Sequence, residues 1–533
     1  VSRPFVVCAL ALYALAGFAP IVAMALRVDP ADLGSLMDER TLGLLKRTLL
    51  LGGGASAIAV LLGAPFGFLV SRTDLPGRSI LRPLALVSLI LPPLFVAITW
   101  AALTEVRGAA AAIGILGLHT FPIVAFFTAT AFDRIDAGRQ EAAQLAGGLV
   151  GVLRMQLPLV LPAVLCGACL AFLFAINDFA TPDYISSVGA KFNVYADEVF
   201  ANYQLQESTG RAVASSLPLV GLTLLLLIPA LLLRRRGAMA TVGGTFKRPA
   251  PLRLGRWKPV ALCLCLTIVG VSALLPIVRL VYEAGIPGRA PVVATGDLPM
   301  GTSSPGLAPV GTWSFDSLRG AFGVALERAR EDLGNSLLYS ALAGLIAVPL
   351  ALVLAHLCER VRGGWMLELL FALPMAVPAI LFGIGEIAVW NNAWSAGFYN
   401  SGALVVALEV GRFLIFPLLL FTGAVASLSP RLEEAAQVAG VPAWRRLTSV
   451  VAPAVLPSLL AGWALVFVLA MRELDAAILV PSANHTIIFR VFNQIHFGRD
   501  DAVAALCLLV VFFLVLPGLL WSLFGRRHVE VMP

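Results

Sequence analysis

Long apolar runs alternate with short polar stretches along the whole chain, and most runs are close to the roughly 20 residues that an α-helix needs to cross about 30 Å of hydrocarbon. With ends set by charged residues, twelve runs fall near 5–26, 44–70, 80–103, 109–131, 158–180, 211–233, 258–281, 334–357, 366–390, 401–426, 456–480 and 501–524. The two-residue alternation of a membrane β-strand is not visible. The expected fold is an all-α membrane protein with about 12 transmembrane helices, whose main surroundings are the lipid bilayer.

Composition agrees with that pattern. Of 533 residues, 59% are hydrophobic and 13% charged, against about 25% charged in soluble domains. The net charge of +7 could suggest an acidic partner, but its Lys and Arg residues gather in alternate loops. One set comprises Arg72, Arg78 and Arg82, then Arg134, Arg139 and Arg154, then the run from Arg234 to Lys258; Arg360 and Arg362, Arg431, Arg445 and Arg446, and Arg526 and Arg527 continue it. The positive-inside rule places that side and both termini in the cytosol, so the charge reflects orientation and not nucleic acid. Arg3 before an apolar stretch ending in Ala23-Met24-Ala25 has the look of a signal peptide, yet the stretch is long and its Ala19-Pro20-Ile21-Val22 returns as Leu275-Pro276-Ile277-Val278. A retained first helix is expected. All seven cysteines lie in or beside apolar runs, including the Cys166-x-x-Cys169 pair, and are read as small helix residues and not as a redox or metal motif.

The repeat extends to the loops. Glu141-Ala142-Ala143-Gln144-Leu145-Ala146-Gly147 returns as Glu434-Ala435-Ala436-Gln437-Val438-Ala439-Gly440, each in an Arg-bearing break before the fifth run of its half. The chain divides into a first repeat (1–240), a basic cytosolic linker (241–257) and a second repeat (258–533). Pro20 and Pro276 are 256 positions apart and Glu141 and Glu434 are 293 apart, so the second half is longer by 37 residues between these landmarks. Most of the excess is expected in an extracytosolic insertion at 282–333, rich in Gly, Pro, Ser and Thr, which is either a flexible connection or a docking surface.

The repeated motif resembles the EAA loop of the membrane subunits of ABC importers: Glu-Ala-Ala, three residues, Gly, nine residues, an aliphatic residue, one more, then Leu-Pro. Glu434, Ala435, Ala436, Gly440, Val450 and Pro453 follow it, with Ala452 in place of Leu; in the first copy Glu141, Ala142, Ala143 and Gly147 fit, but Pro158 arrives two residues early. The turn after the first short helix should therefore be tighter. Glu with two alanines favours a short helix and Gly ends it by accepting positive φ. The resemblance implies that these residues couple the membrane helices to a cytosolic ATPase. The chain has no G-x-x-x-x-G-K-[ST] phosphate loop, so no cofactor is expected in it; ATP and Mg would be bound by the partner.

Polar residues close the fifth run of each half. Aligned on Pro162 and Pro457, Asn177 matches Arg472 and Asp178 matches Glu473, with Asp475 two residues on. Polar groups at membrane depth are functional candidates, so these five either line the translocation pathway or gate, or mark two helix ends with Arg472 and Glu473 pairing locally. Glu105, Glu386 and Glu409 are weaker candidates, Glu409 with Arg412 at i, i+3 suggesting a structural ion pair. Gly63 and Gly67 form a helix-packing G-x-x-x-G. His485 and His496 are too far apart to read as a metal motif, and no metal ligand set is identified.

The fused length resembles the ferric-iron type of binding-protein-dependent permease, in which similar acidic positions occur at the fifth span. It implies a multi-pass protein of the bacterial cytoplasmic (inner) membrane working with two copies of an ABC ATPase and an extracytosolic substrate-binding protein, and importing ferric iron by ATP-driven alternating access. Thiamine or an organophosphonate is the alternative substrate. An ion-coupled secondary transporter of two six-span repeats is the alternative class.

Overall fold

The computed structural model describes residues 3–27, 39–189, 191–204, 209–238, 249–286, 312–479, 481, 484–495 and 500–524. Among these, eight unbroken helices and four bent pairs are long and apolar enough to cross a membrane, twelve spans if each pair counts once. Spans 1 to 6 are Pro4–Ala25, Glu39–Arg72, Arg78–Ile90 with Pro93–Leu103, Gly108–Asp133, Val150–Asn177 and Ser216–Arg234. Spans 7 to 12 are Gly255–Ala284, Phe315–Arg360, Gly364–Ala376 with Ala379–Trp390, Gly402–Phe413 with Ile415–Ser427, Ala443–Ala454 with Leu456–Met471, and Asp501–Leu520. Each overlaps one apolar run of the sequence. Among the described residues, the one β-bridge joins Thr73 to Leu252.

Both halves break their third span at proline. Spans 3 and 9 bend by 90° and 92°, at Leu91-Pro92 and at Val377-Pro378, whose ψ angles lie between 128° and 144°. A proline ring crowds the residue before it out of the α region and supplies no N–H to the ladder, so an extended pair replaces a helical turn.

The first spans share a second device. A π turn occupies Ala14–Phe18 in span 1 and Gly270–Leu274 in span 7, just ahead of Pro20 and Pro276, where a wider turn relieves the missing proline N–H. Span 1 packs on the second half: Tyr13 donates its hydroxyl hydrogen to the Phe371 carbonyl at 2.6 Å, and Gly385 and Gly411 meet the carbonyls of Pro20 and Ala16. Span 7 in turn packs on span 3 of the first half and on span 12. Span 1 thus packs mainly on the other half, while span 7 bridges the first half and its own.

Gly63 and Gly67 fit the packing reading, because a Cβ on either would stand 2.5–2.6 Å from a span 4 carbonyl oxygen. All seven cysteines are free, and Cys166 donates to the Ala230 carbonyl at 3.2 Å.

The C-terminal part of the expected insertion is helical: Ser314 caps the Ser317 N–H at 3.1 Å and opens a helix running from Phe315 to Arg360, 46 residues against the 34 of Glu39–Arg72. Ser314 N–H also donates to the Gly285 carbonyl at 2.9 Å; residues 287–311 lie outside the described residues. So do 241–248 of the linker. Its remainder is strapped to the end of span 2 and the loop after it, with Leu252 N–H on the Arg72 carbonyl at 2.7 Å and Leu254 N–H on Asp74 Oδ1 at 2.9 Å.

Candidate functional site

Four helix breaks converge on one cavity of about 110 Å³ between the halves. The span 3 elbow brings Pro92 and Pro93, the end of span 5 brings Asn177 and Asp178, the bend of span 10 brings Arg412, and the end of span 11 brings Arg472, Glu473 and Asp475. All five pathway candidates read from the sequence share this wall. Three carboxylates face two guanidiniums across a space that would hold a few waters.

The pairing differs from the sequence expectation. Arg412 does not pair with Glu409 three residues away; its Nη1 lies 2.9 Å from Glu473 Oε1, which also accepts the Ala476 N–H at 3.0 Å. Nor does Arg472 pair with Glu473. It donates to the Leu89 carbonyl and stands 3.4 Å from His119 Nε2, both in the first half. Asp475 crosses the same boundary to accept the Phe179 N–H at 3.5 Å, whereas Asp178 accepts the Thr181 N–H at 2.9 Å. Asn177 donates to the Leu173 carbonyl, and its Oδ1 is buried without a protein partner. Arg472 and Asp475 therefore hold the halves together at the cavity, and separating the halves breaks those bonds. Glu386 and Glu409 are buried outside the cavity lining, and Glu105 is exposed.

Outside the spans, the short helix Tyr195–Gln204 carries Asp197, which caps the Val194 N–H at 2.9 Å. Burial pushes its carboxyl up to about 8, with Asp183, Asp178 and Glu198 adding to the rise. The folded state therefore holds a proton that the unfolded chain releases near 3.8, so stability is full below that value and falls as pH rises through about 8. Asp197→Asn is expected to flatten this fall, seen as a smaller drop in Tm of the detergent-solubilised protein between pH 5 and pH 9.

The Glu-Ala-Ala segments form exposed helices on one face. In the second copy, helix Pro430–Val438 ends at Gly440, whose φ of 78° lets Val441 N–H reach the Ala436 carbonyl at 3.0 Å. In the first, the break opens at Gly147 as expected, but the positive φ falls one residue later. Gly147 is extended (φ −162°), and Gly148 takes the positive φ of 56° before the helix resumes. The first turn is thus two residues, Gly147-Gly148, against four, Ala439 to Pro442, a difference that matches the two residues by which Pro158 arrives early.

Glu141 and Glu434 are exposed, and the apolar residues one turn on, Leu145 and Val438, are 91% and 90% exposed. Apolar side chains bare at matching positions of two repeats mark a surface made for contact. The residues just before the glutamates face inward. Glu433 accepts from Arg360 at 2.6 and 3.0 Å and lies 2.7 Å from His356; burial alone would raise its carboxyl, but these hydrogen bonds outweigh burial and hold it below the usual range. Gln140 is buried, accepts from Arg72 and from Gln156 (3.2 Å), and donates to the Ala250 carbonyl at 3.3 Å. In the sequence Arg72 and Arg360 stand out only as loop charge; their matching place at the end of the second span in each half is the signal that marks them.

Two six-span halves, each with this loop before its fifth span, match a family model twice, at residues 56–237 and 347–530: the binding-protein-dependent transport system inner membrane component. The chain belongs to that family. As a binding-protein-dependent transport component it is a multi-pass membrane permease of the ABC importer type, which decides against the secondary-transporter alternative. The Fe(3+)-transport system permease protein FbpB 2 of Haemophilus influenzae is 23% identical over 499 residues, 90% of each chain. The putative ferric transport system permease protein FbpB 1 of the same organism is 24% identical over 341 residues, 63% of this chain and 50% of the relative. The sulfate transport system permease protein CysT of Escherichia coli is 27% identical over 216 residues, 36% of this chain and 77% of the relative.

Proposed function

We propose that this permease imports ferric iron, delivered by an extracytosolic binding protein, through the cavity between its halves, driven by two ATPase subunits seated on the Glu-Ala-Ala loops. The observation that carries the driving mechanism is the pair of exposed loop helices, alike in both halves and on the face that the positive-inside rule makes cytosolic. Closing of the ATPase pair on ATP would draw the two loops together and move the helices behind them. Opening the cavity toward one side or the other requires the cross-half bonds of Arg472 and Asp475 to break and re-form. The substrate reading rests on the relative named for Fe(3+) transport that aligns over 90% of both chains, and on an excess of carboxylate over guanidinium in the cavity wall, which suits a cation better than an anion. ATP and Mg belong to the ATPase partner, and both termini lie in the cytosol.

Two measurements test this. In membranes containing the permease with its ATPase, Glu434→Ala and Gly440→Val are each expected to lower ATPase capture on the purified permease about tenfold, equivalent to about 1.4 kcal/mol, with membrane insertion intact; Val is strained at the φ of 78° that Gly440 holds. Normal capture by both variants would remove the coupling assignment. Proteoliposomes with ATPase and binding protein should take up ferric ion in preference to sulfate, thiamine or an organophosphonate, and uptake of one of those without ferric ion would replace the substrate.

A further inference from the structure

The two loop helices are fastened inward in the same way. In each half the residue just before the exposed glutamate is held by the arginine that ends the second span: Gln140 by Arg72, and Glu433 by Arg360. These are the last residues of helices Glu39–Arg72 and Phe315–Arg360. A loop docked on an ATPase pulls on the fifth span through the chain itself. The arginine contact gives the same pull a second outlet, into a helix that ends more than sixty residues earlier in sequence. Span 2 packs along spans 4 and 5, and span 8 along spans 10 and 11, so each second span reaches the helices that build the cavity wall.

We infer that Gln140 and Glu433 are positioning residues that latch each Glu-Ala-Ala helix to the second span of its own half, so that loop movement drives the second and fifth spans together. The latches occupy matching positions and differ in chemistry. The second is ionic, with Glu433 between Arg360 and His356. The first is a neutral amide that also receives Gln156 and grips the inter-half linker at Ala250. A hydrogen-bond acceptor, and not a negative charge, is therefore what the arginine needs. This rests on the coupling role proposed above, and the two fail separately.

The test uses the full permease with its ATPase and binding protein in proteoliposomes, measuring ATPase capture, ATP hydrolysis and substrate moved per ATP. Glu433→Ala and Arg360→Ala are expected to leave capture within twofold of the unaltered protein and to lower transport per ATP tenfold or more. Glu433→Gln, which copies the first half, should keep at least half of the transport per ATP. Arg72→Ala should reproduce the loss from the other half, which guards against one variant failing to fold. Unchanged transport per ATP in Glu433→Ala and Arg72→Ala overturns the latch, as does a Glu433→Gln variant as impaired as Glu433→Ala. Loss of capture in Glu433→Ala would make Glu433 part of the docking surface and overturn it too. Normal capture in Glu434→Ala counts against the coupling role alone.

Discussion

Arg412→Ala is expected to abolish transport and to destabilise the folded protein by about 3–5 kcal/mol. Its guanidinium lies 2.9 Å from Glu473, and both side chains are largely buried. Removing one member leaves the other's charge uncompensated in a medium that solvates it poorly, and that penalty exceeds what the pair contributes while intact. The double variant Arg412→Met with Glu473→Met removes both charges and keeps the volume, so it should recover most of the stability without recovering transport. Thermal unfolding in detergent and uptake into proteoliposomes separate the two effects. An Arg412→Ala protein that transports normally would exclude the pair from the pathway.

Gly411→Leu is expected to prevent accumulation of folded protein. A Cβ at Gly411 would stand 2.1 Å from the Ala16 carbonyl oxygen and 2.8 Å from its carbon. Backbone cannot swing aside as a side chain can, so span 1 must move off span 10, at a cost of about 3 kcal/mol or more. Gly423→Leu is the control, because nothing lies within 4 Å of a Cβ there. Size-exclusion profiles of the detergent-extracted proteins should show a folded peak for Gly423→Leu and loss of it for Gly411→Leu.

Span number was legible because lipid thickness imposes a length on every crossing, and that length survives in the runs of apolar residues. The elbows were not. Pro92 and Pro378 sit inside such runs, and prolines are common in membrane helices that stay nearly straight; nothing local says that these two turn the chain by about 90°. The polar residues at the ends of spans 5 and 11 stood out by their placement in apolar surroundings, and they do share a cavity. Their partners did not stand out. Sequence neighbours suggested Arg412 with Glu409 and Arg472 with Glu473, whereas Arg412 pairs 61 positions away and Arg472 bonds 383 positions away. Pairing across a bundle depends on which helices are adjacent, which a single chain read in order does not state. The first loop shows a finer limit: the helix breaks at Gly147 as the motif says, but the positive φ expected of that glycine is taken by Gly148.

The packing of span 1 on the second half also sets an order of events at birth. Tyr13 and its partner Phe371 are 358 positions apart, and at about 5–20 residues per second a ribosome needs roughly 20–70 s to cover that distance. For that interval span 1 waits in the lipid with its eventual neighbours unmade. Its π turn and its Pro20 face must be tolerable to the bilayer alone, and a slow or stalled ribosome lengthens their exposure to membrane quality control.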